Sequence, residues 1–161
     1  MTATQYPACI RDLYESEIFG EAASLAVLQA ADNARDKYHF GTLLQLETET
    51  KARLRPFLAK YGLSLSEEMD LSDVSGAVAA YKDGGMQSFA AANAPVIESF
   101  LARFKEIKQA GPPEDSEVLQ SMIRHESAIL EWMKREAHGP AAGSLDAIIA
   151  ELQYPLPKPG A

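Results

Sequence analysis

Carboxylates occupy positions in two long helical patterns where apolar residues are expected. In the first pattern, the stripe that begins at Tyr14 also contains Glu17 and Glu21 at helical spacing. In the second, Glu47 follows Leu43 on a stripe that is otherwise mainly apolar. Burying an unpaired carboxylate costs several kcal/mol in round terms. These acids therefore need a cation, a proton or a dense set of hydrogen bonds, and that requirement restricts the interior the chain can build.

Length and charge restrict the class of protein. The 161 residues are long enough for one domain with a full core, and we predict a single domain over 1–161. The 23 acidic and 15 basic residues give a formal charge of −8, which argues against nucleic acid or an anionic membrane as the main partner.

Cysteine content and the absence of targeting signals favour a cytoplasmic protein. Cys9 is the only cysteine, so no intramolecular disulfide forms, and a reducing compartment is the simplest interpretation. Met1 to Arg11 contains no basic region followed by an apolar run, and the apolar stretches elsewhere are interrupted by charges. We therefore expect neither a signal peptide nor a membrane span.

Helical periodicity predicts two helices in the first half of the chain. The first runs over about 8–31, and the second follows the polar group 32–36 and ends near Lys60, with Gly62 placed as a C-terminal cap. The polar group is either a turn or the start of the second helix.

The second half repeats this arrangement after a long connection, predicted over 63–78. A third helix is expected to begin after Asp83-Gly84-Gly85 and to end at Gly111, and a fourth covers about 114–137. A short fifth helix opens at Ser144, and the Pro-rich tail 154–161 is predicted to be an extended arm. Two helical hairpins joined by a long connection predict an all-α four-helix bundle with a crossover.

The spacing of the acids fits that topology. Glu17 and Glu47 are 30 positions apart (47 − 17), and Glu98 and Glu126 are 28 apart (126 − 98). Antiparallel helices joined by a short turn bring each pair to one level. On these residues the chain resembles the ferritin-like superfamily, in the broad rubrerythrin-like sense, over about 8–137, with the short helix and tail at 140–161 as an addition.

The resemblance implies a carboxylate site for two iron or manganese ions. Members of this class use a Glu from each of two helices and a Glu-x-x-His from each of the other two. Carried over to this chain, the metal ligands are Glu17, Glu47 and Glu126, with Glu21 or His125 completing the set.

The sequence departs from the family pattern at the histidines and on the third helix. Thr50 and Ile129 stand at the two positions where the family has histidine. On the third helix, either Glu98 or Asn93 takes the ligand position.

Three functional hypotheses remain open. The first is a non-haem di-metal oxidoreductase that uses oxygen or peroxide, and the second is a protein that binds or stores iron or another hard ion. The third is a metal-free helical module for interaction or oligomerisation, in which the acids hydrogen-bond or pair with Arg53 or Arg55 and His125 is an ordinary boundary histidine. Helix faces and the Pro-rich tail predict a homodimer, and no motif identifies a substrate.

Overall fold

The secondary structure of the described residues is helical. The computed structural model describes residues 5–159, and within that range it contains no strand. The elements are α1 (Tyr6–Ala30), α2 (Ala34–Lys60), α3 (Val74–Ala110), a 3₁₀ turn (Pro113–Asp115), α4 (Ser116–Glu136) and α5 (Asp146–Glu151). The all-α prediction is confirmed. The parts of the predictions that fall on residues 1–4 and 160–161 lie outside the described residues.

The turn between α1 and α2 is short and capped. Asn33 is the N-cap of α2, where its side chain accepts a hydrogen bond from the backbone N–H of Asp36 at 2.8 Å. The polar group 32–36 is therefore both the turn and the helix start. At the other end, α2 stops at Lys60, and Gly62 adopts a φ of +65°, which glycine reaches without strain. Gly62 follows the helix end as predicted.

The start of α3 differs from the sequence prediction. We expected the connection to continue to residue 78 and the helix to begin after Gly85, but helical structure begins at Val74. Ala77 and Tyr81, one turn apart, are both buried, and the Tyr81 ring packs edge-on against Phe40. This long-range packing stabilises a segment too short for its own periodicity to reveal it. At the predicted helix start, α3 has a break in its helical geometry, where Gly85 has a φ of +67°.

Two antiparallel helix pairs make up the body of the protein. α1 packs along α2 and α3 packs along α4, while α1 also contacts α3 and α2 contacts α4. The connection between the pairs runs back along α2. In the connection, Glu67 accepts hydrogen bonds from Tyr14 of α1 and from Arg55 near the end of α2. Farther along the chain, Tyr81 donates a hydrogen bond to Asp36 at the beginning of α2.

The hydrophobic core is divided into two clusters along the helices. One is built around three aromatic rings in mutual contact, those of Phe40, Phe89 and Trp132. The other contains Leu54 and Met122. The boundary between them falls at the middle of α1, α2 and α4, which is where the acids predicted from the sequence are located.

The end of the chain packs against α2. The Glu49 carboxylate accepts the backbone N–H groups of Gln153 and Tyr154 at 2.6 and 2.9 Å, immediately after α5. Beyond them the chain is non-helical to residue 159, as the proline content predicts. Across residues 5–159, none of the helices combines the length and the apolar character required to cross a membrane.

Candidate metal centre

Four ionisable side chains from three helices meet between the two core clusters. Glu17 comes from α1, Glu47 from α2, and His125 and Glu126 from α4. All four are buried. Glu17, Glu47 and Glu126 lie on the inward faces of their helices, as the helical period predicts, and His125, about 100° from Glu126 around α4, is buried as well.

The imidazole of His125 is at the centre of this group. Its Nε2 atom lies 3.3 Å from Glu17 Oε2, 3.4 Å from Glu47 Oε2 and 3.8 Å from Glu126 Oε2. One ligand atom each from Glu17, Glu47 and His125 can be chosen so that all three lie within 4.8 Å of one another. A single ion can therefore contact all three side chains after small side-chain movements.

The carboxylates are short of compensating partners. Burial raises the pKa of Glu17 well above its usual range, and the neighbouring charges of Glu47 and Glu126 raise it further. Burial and the charge of Glu47 likewise raise the pKa of Glu126. The Oε2 atom of Glu17 has no hydrogen-bond partner within the described part of the chain. A buried acceptor of this kind calls for a proton or a cation.

A threonine and an arginine hold the histidine in place. The Thr50 hydroxyl lies 3.0 Å from His125 Nδ1, and Arg53 donates to the same hydroxyl oxygen at 2.9 Å. The hydroxyl can donate to Nδ1, which leaves a proton on Nε2 facing the carboxylates. It can also accept from a protonated Nδ1, which leaves the Nε2 lone pair free for a metal. Either way, Nε2 faces Glu17 and Glu47.

A glycine on α1 makes room for the carboxylate of Glu47. A Cβ atom added at Gly20 would lie 2.6 Å from both Cδ and Oε1 of Glu47, closer than real Cβ contacts come. The side chain of Glu47 therefore lies directly against the backbone of α1. Gly20 follows Glu17 by three residues, so the same turn of α1 supplies one carboxylate and the space for another.

The donor set suits a hard divalent ion. Carboxylate oxygens and one imidazole nitrogen are the ligands that Fe²⁺ and Mn²⁺ use in proteins. The unpartnered Glu17 Oε2, the space at Gly20 and the convergence on His125 Nε2 all fit such an ion. The buried Glu17–Glu47–His125 group could therefore hold a metal, with Glu126 beside it.

Glu21, the fifth residue predicted for the site, is directed elsewhere. Its carboxylate accepts hydrogen bonds from Thr48 and from Lys51, and Lys51 also pairs with Glu67. The metal-free hypothesis paired the acids with Arg53 or Arg55. The partner of Glu21 is instead Lys51. Glu21 is one turn from Glu17, but it faces the side of α2 and the connection.

The sequence left open whether Glu98 or Asn93 is the ligand from α3. In this structure neither side chain joins the carboxylates as a ligand. Glu98 is largely exposed and pairs with Lys134 at 2.9 Å. Asn93 lines the cavity beside the carboxylates, but its side-chain amide donates to the backbone carbonyl of Phe89. α3 therefore contributes a wall, and the charged groups come from the other three long helices.

Sequence reasoning missed Thr50, Arg53 and Gly20 as parts of the site. Thr50 stands where the family pattern has a histidine, and it reaches His125 through a hydrogen bond. The signal for Gly20 was a glycine inside a strong helical pattern, which indicates close approach by another group. Arg53 was predicted only as a possible ion-pair partner of the acids, because its contact with Thr50 depends on where the Thr50 side chain points.

A small cavity of about 80 Å³ adjoins the cluster. Three carboxylates border it, and its other walls are mostly apolar side chains from α1, α2, α3 and α4: Phe19, Ala23, Leu43, Ala77, Phe89, Val96, Ile97, Phe100, Ile129 and Met133. The acids therefore face a space whose other walls are mostly apolar, with Ser16, Ser24 and Asn93 as the polar exceptions.

Comparisons of the chain with protein-family models, with curated proteins and with solved structures gave no match.

Proposed function

We propose that this chain is a ferritin-like four-helix bundle with a degenerate carboxylate site that binds iron or manganese, and that it acts in oxygen, peroxide or metal handling. The two antiparallel pairs and the connection that runs back along α2 support the bundle. The observation that carries the metal proposal is the convergence of Glu17, Glu47 and His125, whose ligand atoms lie within 4.8 Å of one another.

The donor count favours one ion per chain. Glu17, Glu47, Glu126 and His125 supply four side chains, enough to hold one hard ion while leaving coordination positions open. Two ions would share the same four groups, with fewer side chains for each. Three ionised carboxylates and a divalent ion leave a net charge of −1, whereas the metal-free set leaves −3.

Each residue has a definite task in this proposal. The three carboxylates and His125 Nε2 would hold the ion, and Thr50 keeps Nε2 turned toward it. Iron or manganese bound there would supply Lewis-acid and one-electron chemistry. The apolar walls of the cavity limit the water that reaches the site, and the raised pKa values of Glu17 and Glu126 let these groups carry a proton when no cation is bound.

Metal analysis with matched variants tests the proposal. Protein purified without chelator, and chelated protein titrated anaerobically with Fe²⁺ or Mn²⁺, should hold about one ion per chain, as the donor count requires. Glu47→Gln and His125→Gln should abolish this uptake. Glu98→Gln removes an exposed acid paired with Lys134 and should leave the uptake unchanged.

Folding of each variant is checked by circular dichroism. A folded parent that neither carries metal nor takes up added Fe²⁺ or Mn²⁺ would overturn both metal hypotheses. Equal uptake by the parent, Glu47→Gln and His125→Gln would place the metal elsewhere.

One observation favours the metal-free alternative, an interaction or oligomerisation module. His125 Nε2 lies within 3.4 Å of two carboxylates, so an imidazolium can act as their counter-ion. The titration above separates the two functions. The homodimer and the cytoplasmic location stay predictions, and light scattering at several protein concentrations tests the dimer.

A further inference from the structure

A surface groove adjoins the cavity beside the carboxylates. The groove, about 560 Å³, lies between α1, the end of the connection and the middle of α3. It shares with the cavity six lining residues: Ser16, Phe19, Ala77, Asn93, Val96 and Phe100. Because the same side chains border both spaces, the groove and the cavity are neighbours, and the acids border the cavity.

The boundary between groove and cavity is mainly apolar. Phe19, Phe100 and Val96 form most of it, and Val96 is 46% exposed although it is a large apolar residue. Met69 adds a flexible apolar side chain on the side of the connection. Such walls favour the apolar part of a ligand over water.

The groove is also acidic. Its lining contains no lysine or arginine among the described residues, and it contains four carboxylates: Asp12, Glu15, Asp70 and Asp73. Arg11 and Arg103, which pair with Glu15 and Asp12, lie outside the lining. An anionic ligand would be repelled here, and it would meet carboxylates again at the inner end of the cavity.

The inner end of the cavity is bordered by a buried acid that the metal proposal also uses. Glu17 lines the cavity, its side chain is almost completely buried, and its Oε2 atom has no hydrogen-bond partner among residues 5–159. That atom also lies 3.3 Å from His125 Nε2, and a proton or the metal ion satisfies it, so the acids of the groove alone carry the charge preference for a ligand.

We propose that the groove and the cavity together bind a small amphipathic organic cation, such as an alkylamine, with its ammonium group beside Asp70 and Asp73 and its alkyl chain between the apolar walls of the cavity. This inference rests on the proposed function, since the acids of the metal centre border the cavity. It assigns the substrate class of that centre. An engineered cavity of about 150 Å³ holds benzene, so a cavity of about 80 Å³ suits an alkyl chain better than an aromatic ring.

Three ligands of equal chain length test the proposal: hexylamine, hexanol and hexanoate, titrated into the protein near neutral pH by calorimetry and by NMR of labelled protein. Hexylamine should bind about tenfold more tightly than hexanol, because the ammonium gains attraction from nearby carboxylates. Hexanoate should show no binding. Equal binding of all three, or no binding of hexylamine, would overturn the proposal.

Variants locate the binding and separate charge from shape. Val96→Trp places a large side chain where groove and cavity meet and should abolish hexylamine binding. Leu25→Trp is its control, since Leu25 is 42% exposed on α1 and borders neither space. The double change Asp70→Asn and Asp73→Asn should weaken hexylamine about tenfold and leave hexanol unchanged. An unchanged affinity for hexylamine in the double variant would contradict a cationic ligand.

Metal uptake is measured on the same samples, so the two proposals fail separately. Normal metal uptake with no hexylamine binding overturns only the ligand class. Hexylamine binding by a parent that takes up no metal overturns the proposed function and, with it, the role of hexylamine as a substrate of a metal centre.

Discussion

The hydroxyl of Thr50 lies 3.0 Å from His125 Nδ1, so a residue of α2 orients the imidazole that lies among Glu17, Glu47 and Glu126. The contact joins α2 to α4, which also meet where Trp132 donates a hydrogen bond to His39. It also explains how the imidazole nitrogen Nε2 of His125 is presented to Glu17 and Glu47.

Removing this hydroxyl should weaken metal binding. Thr50→Val keeps the shape of the side chain but leaves His125 Nδ1 and Arg53 without their partner. We expect the affinity for Fe²⁺ or Mn²⁺ to fall about 10- to 100-fold, as for other groups that orient metal ligands. Thr50→Ser should restore it.

The matched control is Thr42→Val on the same helix. Thr42 is equally buried, and its hydroxyl donates to the carbonyl of Tyr38. It should lose stability without losing metal affinity. Equal affinities of Thr50→Val and the parent would show that Thr50 does not position the histidine.

A methyl group at Gly20 should disturb both the fold and the site. Gly20→Ala places a Cβ atom 2.6 Å from the Glu47 carboxylate, so that carboxylate or α1 must move. Overpacking of this kind costs about 1–3 kcal/mol in the free energy of unfolding. Urea denaturation and metal titration measure the two effects.

Gly76→Ala provides the comparison. A Cβ atom there meets nothing within 4 Å, and the residue lies within α3. Because alanine is the better helix former, we expect a gain of up to about 1 kcal/mol. A Gly20→Ala protein as stable as the parent, with unchanged metal uptake, would contradict the close packing of Glu47 on α1.

His39 should make the protein less stable in mild acid. Its Nδ1 accepts a hydrogen bond from Trp132 Nε1 at 3.0 Å, and burial, followed by the charge of Arg35, lowers its pKa from 6.5 to about 4. The unfolded chain therefore binds more protons than the folded one between these values. This contribution to stability is present above pH 6.5 and is lost as the pH falls toward 4.

Fluorescence of Trp132, the only tryptophan, follows unfolding in this window. The difference corresponds to roughly 3 kcal/mol at most, from about 1.4 kcal/mol per pKa unit. His39→Gln should flatten the dependence of the unfolding free energy on pH between 4 and 6.5. An identical slope in parent and variant would mean that His39 is protonated as easily when folded as when unfolded.

The buried carboxylates should have the opposite effect in metal-free protein. The pKa values of Glu17 and Glu126 are raised by burial and by the charge of Glu47. Their contribution to stability is therefore fully present below the unfolded pKa and is lost as the pH rises through the folded pKa. In chelated protein, Glu126→Gln, which mimics the protonated acid, should be more stable than the parent near neutral pH.

Bound metal should reverse that order, because the glutamine removes a ligand. Urea denaturation of parent and Glu126→Gln, each with chelator and with Mn²⁺, gives the comparison. Both proteins contain His39, so its contribution to the pH dependence of stability cancels in the comparison. A destabilised Glu126→Gln in chelator would show that this acid has a favourable partner when no metal is bound.

Much of the fold was determined by local sequence. Apolar residues at helical spacing predicted α1, α2 and α4, and Gly62 marked the end of α2. The same periodicity predicted that Glu17, Glu47 and Glu126 share one interior, because the direction of a side chain from a helix depends mainly on its position in the turn.

The beginning of α3 and the partner of Glu21 were decided by contacts between distant residues. Ala77 and Tyr81 form a short helix because they pack against other elements, including Phe40. Glu21 satisfies the same helical period as Glu17, but Lys51 lies beside it and draws its carboxylate away from the centre. Neighbouring helical positions differ by about 100° in direction, and a long side chain such as glutamate can reach either of two partners within that range.

The histidine shows the same division. His125 and Glu126 are neighbours that point about 100° apart around the helix, and the sequence left open whether His125 completes the ligand set or is an ordinary boundary histidine. Both are buried, because His125 faces α1 and α2 while Glu126 borders the cavity along α3. The sequence by itself determined most of the helices and placed Glu17, Glu47 and Glu126 on inward faces. Only the packing of α4 among its neighbours decided that both faces are interior, since that depends on the positions of the other three helices.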